Sequence, residues 1–366
     1  MRRIEGYVFM DNGAFAPGRI YIEDGVIQSV EKLPETSLSP DEKLIYVIPG
    51  LVDIHSHGCF GHDTCDADAD GLRKMLEFEV SRGTTSYCPT TMTFDEDRLT
   101  KVCKVIGEVS KEDKTIKGVY LEGPFISRNK CGAQNPEYIM KPDAAMIKRL
   151  DKVSGGLVKV IAIAPETEGA MKCIEELSKD YVVSMAHTEA DYDTAKEAIA
   201  KGAFEVTHLY NAMPSYTHRA PGVIGAAMED DNIRVELITD GIHIHPAVVK
   251  NTFKTFGRDR VILISDSMEA TGMENGKYSL GGQDVFVEGR RATLKDGTIA
   301  GSASTLMDCV RTAVSMGVKK EDAIISATRT PAKQIGIFDM VGSVTKGKKA
   351  DLLLTDADLN LIEVIN

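Results

Sequence analysis

The chain has 366 residues, of which 43% are hydrophobic and 27% charged, enough apolar material for a large core and too much for disorder to be its main state. Its 43 Lys and Arg stand against 55 Asp and Glu, a net charge of −12 with no basic block, which argues against nucleic acid as a partner. An anionic small molecule would then have to be met by a few cations gathered in one pocket.

At this length an α/β barrel of about 250 residues with a smaller companion unit is the natural organisation. The seven cysteines are scattered and form no C-x-x-C pair, the usage of a reducing compartment, so a cytoplasmic location is expected. Arg2 and Arg3 are followed by no long apolar run, since Asp11, Asn12 and Gly13 interrupt it, and neither a signal peptide nor a spanning helix is expected.

From Ile4 to Val47 the text reads as short strands, with Arg19–Glu23 and Val26–Val30 flanking an Asp24-Gly25 hairpin turn. A polar segment from Pro34 to Lys43 follows. The apolar run Leu44–Ile48 then leads into Pro49-Gly50-Leu51-Val52-Asp53-Ile54-His55-Ser56-His57. In an extended strand alternate side chains share a face, so His55 and His57 point the same way and can share one cation.

After His57, apolar strands alternate with amphipathic helices. Strands are predicted to begin near Leu51, Thr84, Ile116, Val158, Tyr181, Phe204, Ile233 and Val261. Helices are predicted over Leu72–Ser81, Asp97–Ser110, Asp143–Val153, Glu168–Lys179, Asp191–Lys201 and Pro246–Phe256, several of them opening on Asp or Pro as helix starts prefer. Eight such repeats predict an α/β fold, a parallel (β/α)₈ TIM barrel. No G-x-G-x-x-G follows the first strand, so a Rossmann sheet lacks support. A Gly-rich stretch near 272–301 reads as an inserted β-hairpin and Ser304–Met316 as the last helix. From Gly336 the text returns to strands and turns. The expectation is a small β-sandwich built from residues 1–48 and 335–366 beside a barrel of residues 49–334.

Barrel chemistry is placed at the C-terminal ends of the strands. Strand three runs into Glu122, strand five into His187, strand six into His208 and strand eight into Asp266. Each alone has a structural explanation: Glu122 as a turn carboxylate, His187 or His208 as a hydrogen-bonded core histidine, Asp266 as a cap. Together with His55 and His57 they make six candidate ligands at one mouth. Of the eight histidines, five (55, 57, 187, 208 and 243) fall at predicted strand ends. Imidazoles with carboxylates suit a divalent metal, Zn²⁺ or Fe²⁺, whose bound water loses a proton near pH 7. An aspartate beside that water can take its proton and pass it to a leaving amine.

The His55-Ser56-His57 pair with His187, His208 and Asp266 resembles the amidohydrolase superfamily pattern. Three further strings, Leu121-Glu122-Gly123-Pro124-Phe125, His208-Leu209-Tyr210-Asn211-Ala212-Met213-Pro214 and Asp240-Gly241-Ile242-His243, resemble the N-acetylglucosamine-6-phosphate deacetylases within it. The resemblance spans the barrel and both chain ends, including Gly347-Lys348-Lys349-Ala350-Asp351-Leu352. It implies metal-dependent release of acetate from N-acetyl-D-glucosamine 6-phosphate, with Glu122, His187 and His208 as principal ligands and Asp266 as acid/base. Some members replace the first histidine pair and hold one metal, so one or two cations per subunit are expected, and His55 and His57 point to the two-metal form with Glu122 bridging. It further implies substrate contacts from Asn211, Ala212, Arg219 and His243, an acetyl pocket near Leu306 and Met307, and a homodimer. Arg219 would supply the local positive charge that a phosphate demands. In Lys130-Cys131-Gly132-Ala133-Gln134, some members carry histidine where Gln134 stands; glutamine can donate a hydrogen bond to the scissile carbonyl but carries no charge. The rival expectations are deacetylation of another sugar phosphate, such as N-acetylgalactosamine 6-phosphate, and a non-catalytic scaffold.

Overall fold

The alternation in the middle of the chain folds as eight parallel strands in sequential order. In the computed structural model, which describes residues 1–37 and 44–366, they are Leu51–Ser56, Thr84–Thr91, Val119–Phe125, Val158–Ile163, Val182–Met185, Ala203–Val206, Arg234–Ile238 and Val261–Ile264. Most of the polar segment expected from Pro34 to Lys43, its residues 38–43, lies outside the described residues. Both faces of these strands are covered, which is why they read as apolar runs rather than as alternating ones. Val52, Ile54, Tyr120, Val160, Ile262 and Ile264 fill the barrel, while a larger cluster packs between strands and helices.

The sheet closes between its first and last strands. The Asp266 N–H donates to the His55 carbonyl (3.0 Å) and the His57 N–H to the Ser267 carbonyl (2.8 Å). Buried Asp53 bridges the same seam, its Oδ1 accepting from the backbone of His55 (3.2 Å) and Ser265 (3.4 Å).

The helices begin where the sequence marks a start. Asp68, Asp95, Asp143 and Asp191 cap the helices Ala69–Ser81, Glu96–Glu112, Ala144–Ser154 and Tyr192–Ala200 through their carboxylates, each such cap contributing about 1 kcal/mol. Pro246 opens the helix Pro246–Phe256. The third strand starts at Val119 rather than at Ile116, which makes only an isolated bridge to Tyr87. Three short helices have no counterpart in the sequence reading: Gly222–Glu229, Lys320–Ser326 and Arg329–Gln334. The first is buried nearly all round and shows no amphipathic period; the third carries Pro331, which reads as a breaker.

Strands from both chain ends join in one six-stranded sheet, in the order Leu361–Ile365, Leu352–Thr355, Tyr46–Pro49, Arg2–Phe9, Phe15–Glu23 and Val26–Lys32. Asp24 and Gly25 turn its hairpin in left-handed conformation (φ 51° and 71°), as a two-residue Asp-Gly turn requires. Ile4, Val8, Ile20, Ile27, Val47 and Leu352 form its own core. The predicted insertion is a three-stranded antiparallel sheet, Gly276–Leu280, Gln283–Glu288 and Arg291–Thr293. No helix among the described residues is long and apolar enough to cross a membrane.

Candidate metal centre

All six predicted ligands meet at the barrel mouth and are buried. Three of them, His187, His208 and Asp266, stand two positions beyond the last residue of a strand, with positive φ (44°, 29° and 47°). L-residues adopt this conformation at a cost of about 1–2 kcal/mol each, a strain that persists at sites where the surroundings over-determine the backbone. The ligand atoms form two triplets, His55–His57–Asp266 and Glu122–His187–His208, the atoms of each lying within 4.8 Å of one another.

Glu122 stands between the two. Its Oε1 lies 2.9 Å from His208 Nε2, 3.2 Å from His187 Nε2 and 3.5 Å from His55 Nε2, while Oε2 lies 3.1 Å from His57 Nε2. Asp266 Oδ1 closes the group at 3.3 Å from His57 Nε2 and 3.7 Å from His55 Nε2. Two of the rings are fixed through their other nitrogen: His55 Nδ1 is 2.9 Å from Glu236 Oε2 and His187 Nδ1 is 2.8 Å from the Lys130 carbonyl. Four Nε2 atoms are thereby presented to two carboxylates.

That arrangement fits a divalent cation. The buried Nε2 of His55 has no hydrogen-bond partner, and the Nε2 atoms of His187 and His208 face each other at 3.2 Å, where two N–H groups would clash. Four imidazoles with two carboxylates are a donor set for Zn²⁺ or Fe²⁺. Electrostatics of the metal-free chain point the same way. Burial would push His57 down, yet its bonds to Asp266 and Glu122 raise it from 6.5 to about 9. Burial likewise opposes the charge on His55, but Glu236 and Glu122 hold it well above its usual value. Burial would raise Glu122 and Asp266, and the neighbouring imidazolium groups more than offset it, holding both below the usual carboxylate range.

Above this floor opens a cleft of about 360 Å³. Gln134, Asn211, Ala212 and His243 line it, as expected for substrate contacts. His243 is anchored by Asp240, whose Oδ2 lies 2.8 Å from its Nδ1; burial lowers its pKa, but this carboxylate brings the net shift upward. Gln134 is placed differently from a plain carbonyl donor: its Nε2 donates to Glu122 Oε2 (2.6 Å) and its Oε1 accepts from the Thr93 N–H (2.7 Å). The amide therefore holds Glu122 in place.

Three expected residues are elsewhere. Arg219 is exposed and lines an adjoining depression with Glu189 and Tyr192. Leu306 is fully buried in the core, and Met307 faces a separate depression beside Phe78 and Arg311. Both belong to the first turn of a helix capped by Thr305, whose apolar side packs inward, so they do not line the cleft. The apolar wall comes instead from Met92, Leu280 and Ile299, the last two brought in by the inserted region. Lys130 also lines the cleft and was missed, as was Glu236 beneath it. A glutamate inside the apolar run Val235-Glu236-Leu237 was the visible signal for the latter.

Comparison with known proteins agrees with this geometry. The model of the amidohydrolase family matches residues 46–365. An N-acetylglucosamine-6-phosphate deacetylase of Bacillus subtilis is 38% identical over 98% of this chain and 93% of its own length. An N-acetylgalactosamine-6-phosphate deacetylase of Escherichia coli O157:H7 is 33% identical over 94% of this chain and 92% of its own. Among solved structures, an N-acetyl-D-glucosamine-6-phosphate deacetylase from Mycobacterium smegmatis superposes with a TM-score of 0.93 at 31% identity, covering 100% of this chain and 98% of that one. A mutant form of that enzyme, with a TM-score of 0.92 and 31% identity over 100% of this chain and 97% of its own, was solved in complex with N-acetyl-D-glucosamine 6-phosphate.

Proposed function

Because the chain belongs to the amidohydrolase family, we propose that it hydrolyses the acetamide of N-acetyl-D-glucosamine 6-phosphate to D-glucosamine 6-phosphate and acetate. The observation that carries this reading is the convergence of six buried nitrogen and oxygen ligands below a cleft, in a chain that matches a curated deacetylase along nearly its whole length. Glu122, His187 and His208 would hold one divalent cation, and His55, His57 and Asp266 a second, with Glu122 between them. Bound there, a divalent cation supplies Lewis acidity that polarises a carbonyl and acidifies water.

The chain's own groups do the rest. Asp266, with its side chain about one-tenth exposed to the cleft, accepts the proton of the attacking water as the new C–O bond forms. As the C–N bond breaks, it returns that proton to the sugar nitrogen, so a neutral amine and acetic acid leave, the acid then ionising to acetate in solution. Gln134 keeps Glu122 from rotating. Asn211, Ala212 and His243 position the sugar from the wall. Arg219 meets the phosphate from the exposed segment that follows Asn211 and Ala212, and the apolar Met92, Leu280 and Ile299 exclude water around the acetyl group. We take the molecule to be a cytoplasmic homodimer; light scattering in solution tests its oligomeric state.

Release of free amine from N-acetylglucosamine 6-phosphate, with metal counted by elemental analysis in the same preparation, tests the reading. Faster release from N-acetylgalactosamine 6-phosphate would redirect the substrate assignment. Absence of any metal-dependent amine release would remove the enzymatic reading. Asp266→Asn should lower turnover by about 10²- to 10⁴-fold while the Glu122–His187–His208 cation stays bound. Arg219→Ala should impair the phosphorylated sugar and spare the unphosphorylated one.

A further inference from the structure

We infer that Glu236 is the positioning residue that makes the His55–His57–Asp266 triplet a metal site. The inference rests on the two-cation reading above and deepens it. Glu236 lies in the seventh barrel strand, fully buried beneath the centre. A single oxygen, Oε2, sits 3.1 Å from the backbone nitrogen of His208 and 2.9 Å from His55 Nδ1.

The His208 N–H can only donate, so that oxygen is an acceptor. His55 must then present Nδ1–H to it. In the neutral ring, the form that binds a cation, this leaves the lone pair on His55 Nε2, the atom that has no hydrogen-bond partner and faces Glu122 Oε1 at 3.5 Å and Asp266 Oδ1 at 3.7 Å. Tyr120, its ring centre 4.5 Å away, closes the other side of the imidazole. Glu236 therefore selects the tautomer and the orientation that His55 needs to act as a ligand. Through the same atom it ties His55, in one triplet, to the backbone of His208, in the other. Because Glu236 touches only the backbone N–H of His208 but the ring of His55, the main loss on removing it falls on the His55 side.

Outer carboxylates of this kind typically change metal affinity by about 10- to 100-fold. The test is competitive titration of the metal-free protein with Zn²⁺, with elemental analysis after dialysis, on wild type, Glu236→Leu, Glu236→Asp and Glu236→Gln. Wild type should take up two cations. Glu236→Leu and Glu236→Asp, the latter too short to reach the ring, should weaken one cation by about 10- to 100-fold and leave the other as in wild type. Glu236→Gln retains an acceptor oxygen and should recover most of that affinity. His55→Ala should weaken the same cation, and adding Glu236→Leu to it should cost nothing more. Should Glu236→Leu fail to fold, the aspartate and glutamine variants carry the comparison. Unchanged affinity in the leucine or aspartate variant, equal weakening of both cations, or losses that add in the double variant would overturn the inference. A wild type that binds a single cation would overturn the two-cation reading itself.

Discussion

At the scale of single residues, the centre is a set of acids and bases waiting for a common partner. In the metal-free protein the raised pKa of His57, about 9, means that it carries a proton at neutral pH which a cation must displace. The sign follows directly. The ordinary value is 6.5, so the stability that protonated His57 contributes is complete below about that pH and is lost as pH rises through about 9. Metal binding gains over the same window. The rise in melting temperature on adding Zn²⁺ should therefore grow from pH 6.5 to pH 9; a metal-induced rise that is flat across that range would contradict protonated His57 as the competitor. The six candidate ligands were legible in the sequence because each interrupts or ends an apolar strand, and strand ends are where a barrel puts its chemistry. The roles of Gln134 and Glu236 were not, because each is defined by a contact across the fold: Gln134 with Glu122, Glu236 with His55. Leu306 and Met307 were misplaced for the opposite reason, since apolar residues at a helix start fit a pocket and a core equally well until the helix is docked.

At the scale of elements, the strand that carries Glu122 turns at Gly123, whose φ is 89° and whose missing Cβ would lie 2.2 Å from Thr93 Oγ1. Gly123→Ala should thus combine left-handed strain with overpacking against Thr93, just past the end of the second strand. The expected destabilisation is about 2–4 kcal/mol, read from denaturant unfolding, and metal should be lost with it as Glu122 shifts. The inserted sheet joins the main core through Leu280, Val285 and Ala292 and is also tied by a polar contact. Gln283 Nε2 donates to the Ala133 carbonyl (2.6 Å), tying the sheet to the loop that carries Gln134. Gln283→Ala should raise KM by about fivefold, as expected for one hydrogen bond of about 1 kcal/mol, with metal content unchanged. An equal loss of metal would mean that the strap supports the centre and not only the cleft wall. Long helices with aspartate caps were readable because cap and period agree. Gly222–Glu229 was not, since burial on all sides erases the period.

At the scale of the whole molecule, the two chain ends behave as one element. Leu352–Thr355 pairs antiparallel with Tyr46–Pro49, which runs through Gly50 straight into the first barrel strand. Deleting residues 351–366 should leave that strand without its lead-in and yield insoluble or early-melting protein, with metal uptake reduced at the His55 side. A truncated protein that melts and binds metal as the full chain does would show that the lead-in is dispensable. The β text of both ends leads to the expectation that they join in one small sandwich; strands of both ends do join, but in one six-stranded sheet, whose strand order only the assembled molecule sets. The barrel seam has a similar reach: Ser56 Oγ and Ser267 Oγ meet at 2.6 Å although 211 residues separate them. Closing so long a loop costs entropy that only the finished contacts offset, which places this seam late in assembly. The consequence is one of timing. His55 and His57 are the first of the six candidate ligands to be synthesised, yet they gain Asp266 as a neighbour only after the eighth strand exists, and their strand is buttressed only when the last strands arrive. A cation that meets the growing chain earlier finds an incomplete site. Chains stalled before residue 350 should accordingly retain less zinc than released ones; equal retention would show that the centre matures during synthesis.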